Sequence, residues 1–227
     1  MVGLLCGALA AVASARVRTV TRADAESVAS EIALRHSDLP TFEQTPAHPF
    51  TAQRRALSAK ESACAGTAPL STAYALVLSP GFVSGATIAE SATVVFPSSA
   101  WEAQDLAANA GPRVVQCALA YEKASLSNPP KGQSVSAIRV VQLSAKAPVV
   151  YAIRATYVVS ARPGAEAAAL RSARDVRVAV YVDGLTIPYG QADVGLTVTT
   201  FGAAPTPAFE QHLADVLYAR AKATLGS

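Results

Sequence analysis

Residues 176–201 read VRVAVYVDGLTIPYGQADVGLTVTTF, and the reading of this stretch decides the fold. Val176, Val178, Val180 and Val182 alternate with Arg177, Ala179, Tyr181 and Asp183. A period of two is that of a half-buried strand, because successive side chains point to opposite faces of a sheet. Ala192 to Phe201 repeats the pattern with β-branched residues, so the two runs form a hairpin. Gly190 is read as its turn and Gly184 as a bulge, since a turn at Asp183-Gly184 leaves only a stub before Pro188.

Upstream, Val135 to Leu143 and Val149 to Ala161 are two further strands of the same composition. Short loops between successive strands imply antiparallel pairing. Helices bracket this meander. The first is expected over residues 23–35, capped by Thr21 or Asp24 and stopped by Ser37-Asp38-Leu39-Pro40. A second is expected from Thr51, its cap, to Ala65, ended by Gly66. A third runs from Ala100 to about Ala110 behind Ser98 or Ser99; Gly111-Pro112 breaks it and Arg113 to Leu126 resumes. A last helix begins at Pro205 or Thr206 and carries an apolar stripe of Phe209, Leu213, Val216 and Leu217. Between the second and third helices lie turn signals, a brief strand from Phe82 and a strand from Ser91 to Phe96. The expected class is α+β: a single antiparallel sheet flanked by helices, in one domain spanning 16–227.

The chain has 227 residues, is 51% apolar and only 15% charged, and has a net charge of +3. It can bury a sizeable core. Lys and Arg are scattered, so no basic stripe meets a nucleic-acid backbone, and no nucleic-acid partner is expected.

Residues 2–15 carry no charge. That run is too short to span a bilayer, which takes about 20 residues, and fits the centre of a signal peptide over residues 1–15. Ala13-Ser14-Ala15 supplies a small-x-small cleavage site, and Arg16 begins the mature chain. The basic leader is missing, as in a truncated signal. Cys6 follows Leu5, with Gly3 three before it, a poor match to a lipidation signal. The alternatives are an uncleaved or lipidated anchor, the one membrane partner considered, and a buried first helix. Export predicts an extracytoplasmic, secreted or envelope location. It leaves Cys64 and Cys117, an even count that favours a disulfide; the alternative is two buried thiols.

Several residues together resemble a known group. Leu34, Asp38-Leu39-Pro40 and Phe42 are similar to the entry of secreted actinobacterial lipoproteins. Ser79-Pro80-Gly81-Phe82, Ser91 to Phe96 and the helix from Ala100 resemble their middle portion. Val182-Asp183, Gly190, Leu196-Thr197-Val198 and the closing helix through Ala219-Arg220-Ala221 resemble their end. The group comprises LpqN-type lipoproteins and the extracellular sensor domain of PknH-type kinases. The resemblance implies a PsbP-like α/β/α sandwich and an exported binding, envelope or sensing role without catalytic residues. The two-cysteine set and the poor lipidation signal depart from that pattern.

No GxSxG, phosphate-binding glycine loop, HExxH or Cys/His cluster is present, so no enzyme activity, cofactor or metal is expected. His36 ends a helix, His48 lies between prolines and His212 sits near Asp215; each reads as a surface residue. Trp101 and Leu106 read as core. With Lys146-Ala147 as the turn centre, Arg139 faces Arg154 across two strands. Like charges so placed repel unless an anionic group lies between them, either Asp183 or a ligand carboxylate or phosphate. The alternatives are another register, solvated side chains or a structural ion pair. The expected function is a non-enzymatic exported module that binds or senses a small or lipidic ligand. An envelope protein-interaction domain comes second, and a hydrolase with an unrecognised site third.

Overall fold

The period-two runs pair into the centre of an eight-stranded sheet in which all described pairings are antiparallel. The structure is a computed structural model that describes residues 17–161 and 176–226. The expected signal peptide, Cys6 and the Arg16 start lie outside the described residues. Strands β1 (Glu43–Thr45), β2 (Ala75–Leu78), β3 (Gly81–Ser84) and β4 (Thr87–Val95) form one half. Strands β5 (Gln133–Gln142), β6 (Tyr151–Ala161), β7 (Val176–Tyr189) and β8 (Ala192–Phe201) form the other. The order is β1-β3-β4-β8-β7-β6-β5, with β2 also paired to β4.

The five described helices are α1 (Ala25–Ile32), α2 (Ala52–Ala65), α3 (Ser99–Asn109), α4 (Val114–Ser125) and α5 (Pro207–Leu225). Thr51 caps α2 by accepting from the Arg54 amide at 3.2 Å. Gly66 ends it with φ +79°, a left-handed backbone that suits glycine. Helices α1 and α5 cover one face of the sheet, and α2, α3 and α4 lie over the other. The expected α+β class is observed, with helices on both faces.

The α1/α5 face carries the main apolar core. Ala192, Val194, Leu196 and Val198 on β8, Leu185 and Ile187 on β7, and Ala89 and Val95 on β4 meet Val28 and Ile32 of α1 and Leu213 and Leu217 of α5. Burying side chains of this size contributes about 1.5–3 kcal/mol each. The buried Gln191 in the β7–β8 turn accepts from the Val20 amide at 2.7 Å and donates to the Phe96 carbonyl at 2.9 Å. It fastens the chain entering α1 to the end of β4. Arg220 of α5 donates to the Ile32 and Ala33 carbonyls and pairs with Asp38, which satisfies the C-terminal carbonyls of α1.

Three sequence expectations are corrected. The Gly184 bulge is absent: Gly184 pairs in unbroken register with Ile153 and Thr197, and only Gly190, at φ +67°, turns the chain. The irregularity sits in β5 between Ser136 and Arg139, where Ala137 has φ +54°. Arg139 does not face Arg154; it pairs with Thr156, and Arg154 pairs with Val141. The turn alone sets this register: its centre lies at Ala147-Pro148 rather than Lys146-Ala147, and the β5 irregularity shifts only the pairs beyond Arg139. Finally, β2 was not anticipated, because Ala-Leu-Val-Leu has no alternation.

Candidate functional site

The face under α2, α3 and α4 is built differently. Its floor is Ala92 on β4, Gly195 and Thr197 on β8, Gly184 and Thr186 on β7, and Ala155 on β6. These side chains are too short to reach helices carried above them. A methyl group added at Gly195 would come no closer than 3.7 Å to the Ala92 carbonyl, and one at Gly184 no closer than 3.7 Å to Ile153. Both glycines therefore leave space rather than serving a strained backbone. Helix α2 packs chiefly on α4, and a disulfide joins Cys64 of α2 to Cys117 of α4, with Cα atoms 5.7 Å apart.

Two cavities result, of about 340 and 700 Å³. They share Glu61, Ile153, Gly184 and Thr197 as wall. The smaller is closed in by Asp105, Asn109, Tyr151 and Asp193. The larger runs past Arg54, Tyr121, Glu122 and Tyr157 to His48, which pairs with Glu90.

Acidic groups collect here. Asp105 accepts from the Ala68 amide at 2.8 Å and from Asn109 Nδ2 at 3.0 Å. Asp193 stands beside Asp105, whose charge favours a proton on Asp193. Burial, and then the charges of Asp105 and Glu102, push the Asp193 carboxyl up to about 8. Burial followed by Asp105 pushes Glu102 up to about 7, and burial followed by Glu122 does the same to Glu61. Burial also raises Asp105 and Glu122. The Tyr151 hydroxyl is pushed up to about 12 by burial and by Glu61. Tyr151 Oη and Asp193 Oδ1 are buried and have no hydrogen-bond partner among the described residues.

A stability prediction follows from these protons. Unfolded carboxyls release theirs near pH 4, while the folded chain keeps them on Glu61, Glu102 and Asp193 to about pH 7–8. The folded chain therefore binds more protons in between, and stability present near pH 4 is lost as the pH rises through 8. Glu210 on α5, also pushed up to about 8 by burial and by Asp183, acts in the same direction. The melting temperature is expected to fall by roughly 5 °C between pH 5 and 9, with Asp193→Asn flattening the slope. Melts that rise over this range would contradict the cluster.

The sequence-predicted residues fall in two places. Cys64 and Cys117 brace the roof of the cavities. Arg154 lies on the opposite face, where Nε and Nη2 grip Asp183 at 2.7 and 2.5 Å. Arg139 is exposed and apart from that pair. The cavity acids were missed because they come from α2, α3 and β8, and each alone reads as an ordinary polar residue. One signal was available: Asp193 shares a strand face with Gly195, a carboxyl beside a gap on an interior strand. His36 and His212 are exposed, and Trp101 packs beside Ala68, Val94 and Phe96.

No family model matches the chain, and no curated protein does. Among solved structures, the extracellular domain of PknH from Mycobacterium tuberculosis is similar at 9% identity. The match covers 92% of this chain and 100% of that one with a TM-score of 0.35, an overlap from which neither family nor function follows. Among the described residues no helix is long and apolar enough to cross a membrane, and no group of three or more His, Cys, Asp or Glu is arranged to hold a metal ion.

Proposed function

We propose that this chain is a non-enzymatic module of the cell envelope, exported from the cytoplasm, that binds or senses a small ligand between its sheet and helices α2–α4. The observation that carries this reading is the pair of adjoining cavities, with Gly184 in the floor of both and Gly195 in the floor of the smaller. The α1/α5 face holds the main apolar core and only one cavity, of about 320 Å³ at the start of α5, among the described residues, while the other face is held open beneath a roof braced by a crosslink. Cavities of 300–1,000 Å³ with an apolar floor and few convergent polar groups are the usual form of a small-molecule site. The disulfide fits an oxidising compartment, as does the apolar leader.

A protein-interaction role has less support. Among the described residues, the large apolar residues that are exposed, Val17, Val141, Val150, Val176 and Phe201, come from separate segments of the chain. The hydrolase reading has one specific observation, the Asp105–Asp193 carboxyl pair in a cleft. Against it, Asp105 is already held by Ala68 and Asn109, a fastening role that leaves little freedom to move protons.

Filling the floor tests the reading. Gly184→Leu and Gly195→Leu are expected to fold and to abolish ligand co-purified from native envelope, read by mass spectrometry of the extracted protein. The same spectrum reads the mature N-terminus. Ligand retained by both variants, or turnover of a test ester lost with Asp193→Asn, would reject it.

A further inference from the structure

The walls of the smaller cavity carry charge of one sign. Glu61 comes from α2, Asp105 from α3 and Asp193 from β8, and among the described residues no Lys, Arg or His lines it. Glu102, also on α3, adds its charge behind Asp105 and Asp193, and Glu122 on α4 adds its own beside Glu61. Arg54 lines the larger cavity, near Glu122.

A second observation is independent of this crowding. Tyr151 of β6 is 6% exposed, lines the same cavity, and its hydroxyl has no partner. An unpaired buried hydroxyl costs about 1–3 kcal/mol, so it is expected to have a partner in the working state. Asp193 Oδ1 is unpaired in the same way. The one side-chain amide on this wall, Asn109, already donates to Asp105. The cavity therefore has spare acceptors and lacks a charged donor.

Resting on the ligand-binding reading above, we propose that this cavity takes a small organic ammonium ion, a primary amine or short diamine. Its charged end sits at Asp193 and Asp105, and its hydrocarbon lies along Val94 and Ile153 towards Glu61 on the far wall. An ammonium brings three N–H donors and one positive charge. A metal ion is disfavoured because, among the described residues, no three His, Cys, Asp or Glu are grouped to ligate one, whereas an ammonium can be held by two carboxyls and a hydroxyl. The raised carboxyls agree: without a cation the cluster keeps its protons, and an ammonium would let one or more leave. Binding then releases protons, and affinity rises with pH by up to about tenfold per unit between 6 and 8.

The experiment is calorimetric titration of the full chain in phosphate buffer, with hexylamine, 1,5-diaminopentane, hexanol and hexanoate, at pH 6.5 and 8. The amines are expected to bind with proton release, more tightly at pH 8, and at least about tenfold more tightly than hexanoate. Asp193→Asn is expected to lower amine affinity at least about tenfold while leaving hexanol unchanged. Asp105→Asn serves as a second variant, and circular dichroism melts establish that each is folded. Amines binding no better than hexanol, or equally well to folded Asp193→Asn, would overturn the proposal. Should hexanol or hexanoate bind, and lose binding in Gly195→Leu, while the amines do not, the ammonium inference falls and the ligand-binding reading stands. Binding by none of the four overturns the ammonium inference and withdraws support from the cavity as a site.

Discussion

Replacing Cys64 by Ser and Cys117 by Ala together is expected to destabilise the chain by about 4 kcal/mol. The two residues are 53 apart in sequence. Closing a loop of that length removes chain entropy from the unfolded state, and the cost of opening it returns when the bond is absent. Cys64 is exposed and Cys117 is buried, so serine suits the first position and alanine the second. The loss is also local. Helix α2 packs mainly on α4, and Glu61 lies three residues before Cys64, on the same side of the helix. Without the crosslink the roof of both cavities and the position of Glu61 loosen together. Guanidinium denaturation of the variant checks the magnitude, and a change below about 1 kcal/mol would show that helix packing alone holds α2.

Arg154→Ala is the second large effect, expected at about 3–5 kcal/mol. Asp183 is 0% exposed, and Arg154 meets it with two parallel N–H donors. Removing the arginine leaves a carboxylate in a dry layer beneath α5, next to Glu210, whose Oε1 already lacks a partner. Two acids would then face each other without a cation. Arg139→Ala, on the exposed edge strand, is expected to change stability by less than about 0.5 kcal/mol. The contrast between the two arginines tests the β5–β6 register directly. Equal effects would favour the facing pair that a turn centred on Lys146-Ala147 gives. A double variant with Asp183→Ala is expected to cost less than the two single changes added, since the stranded charge is then gone.

Much of the architecture was legible residue by residue. Valines alternating with polar residues in β7 define a strand. Thr51 and Gly66 bound α2, and Gly111-Pro112 separate α3 from α4. These signals are local, because each rests on backbone geometry or on one face being buried. Where burial is not one-sided the signal fails. Strand β2 is half-buried along its whole length and has no alternation. Gly184 illustrates the limit most clearly. In sequence a glycine inside a strand suggests a bulge, whereas in the fold its missing side chain is the floor of a cavity. Local sequence has no means of separating a glycine needed for its backbone from one needed for its emptiness.

The sequence alone determined that strands and helices of these lengths exist, that neighbouring strands run antiparallel, and that two cysteines stand ready for one bond. Periodicity, caps and breakers act over a few residues, and they are written in the chain. Only the tertiary structure decided which acids line one cavity: Glu61, Asp105 and Asp193 come from three elements. The protonation of a carboxyl depends on how little water surrounds it and on which charges stand near it in space, and neither quantity exists until the helices have docked on the sheet.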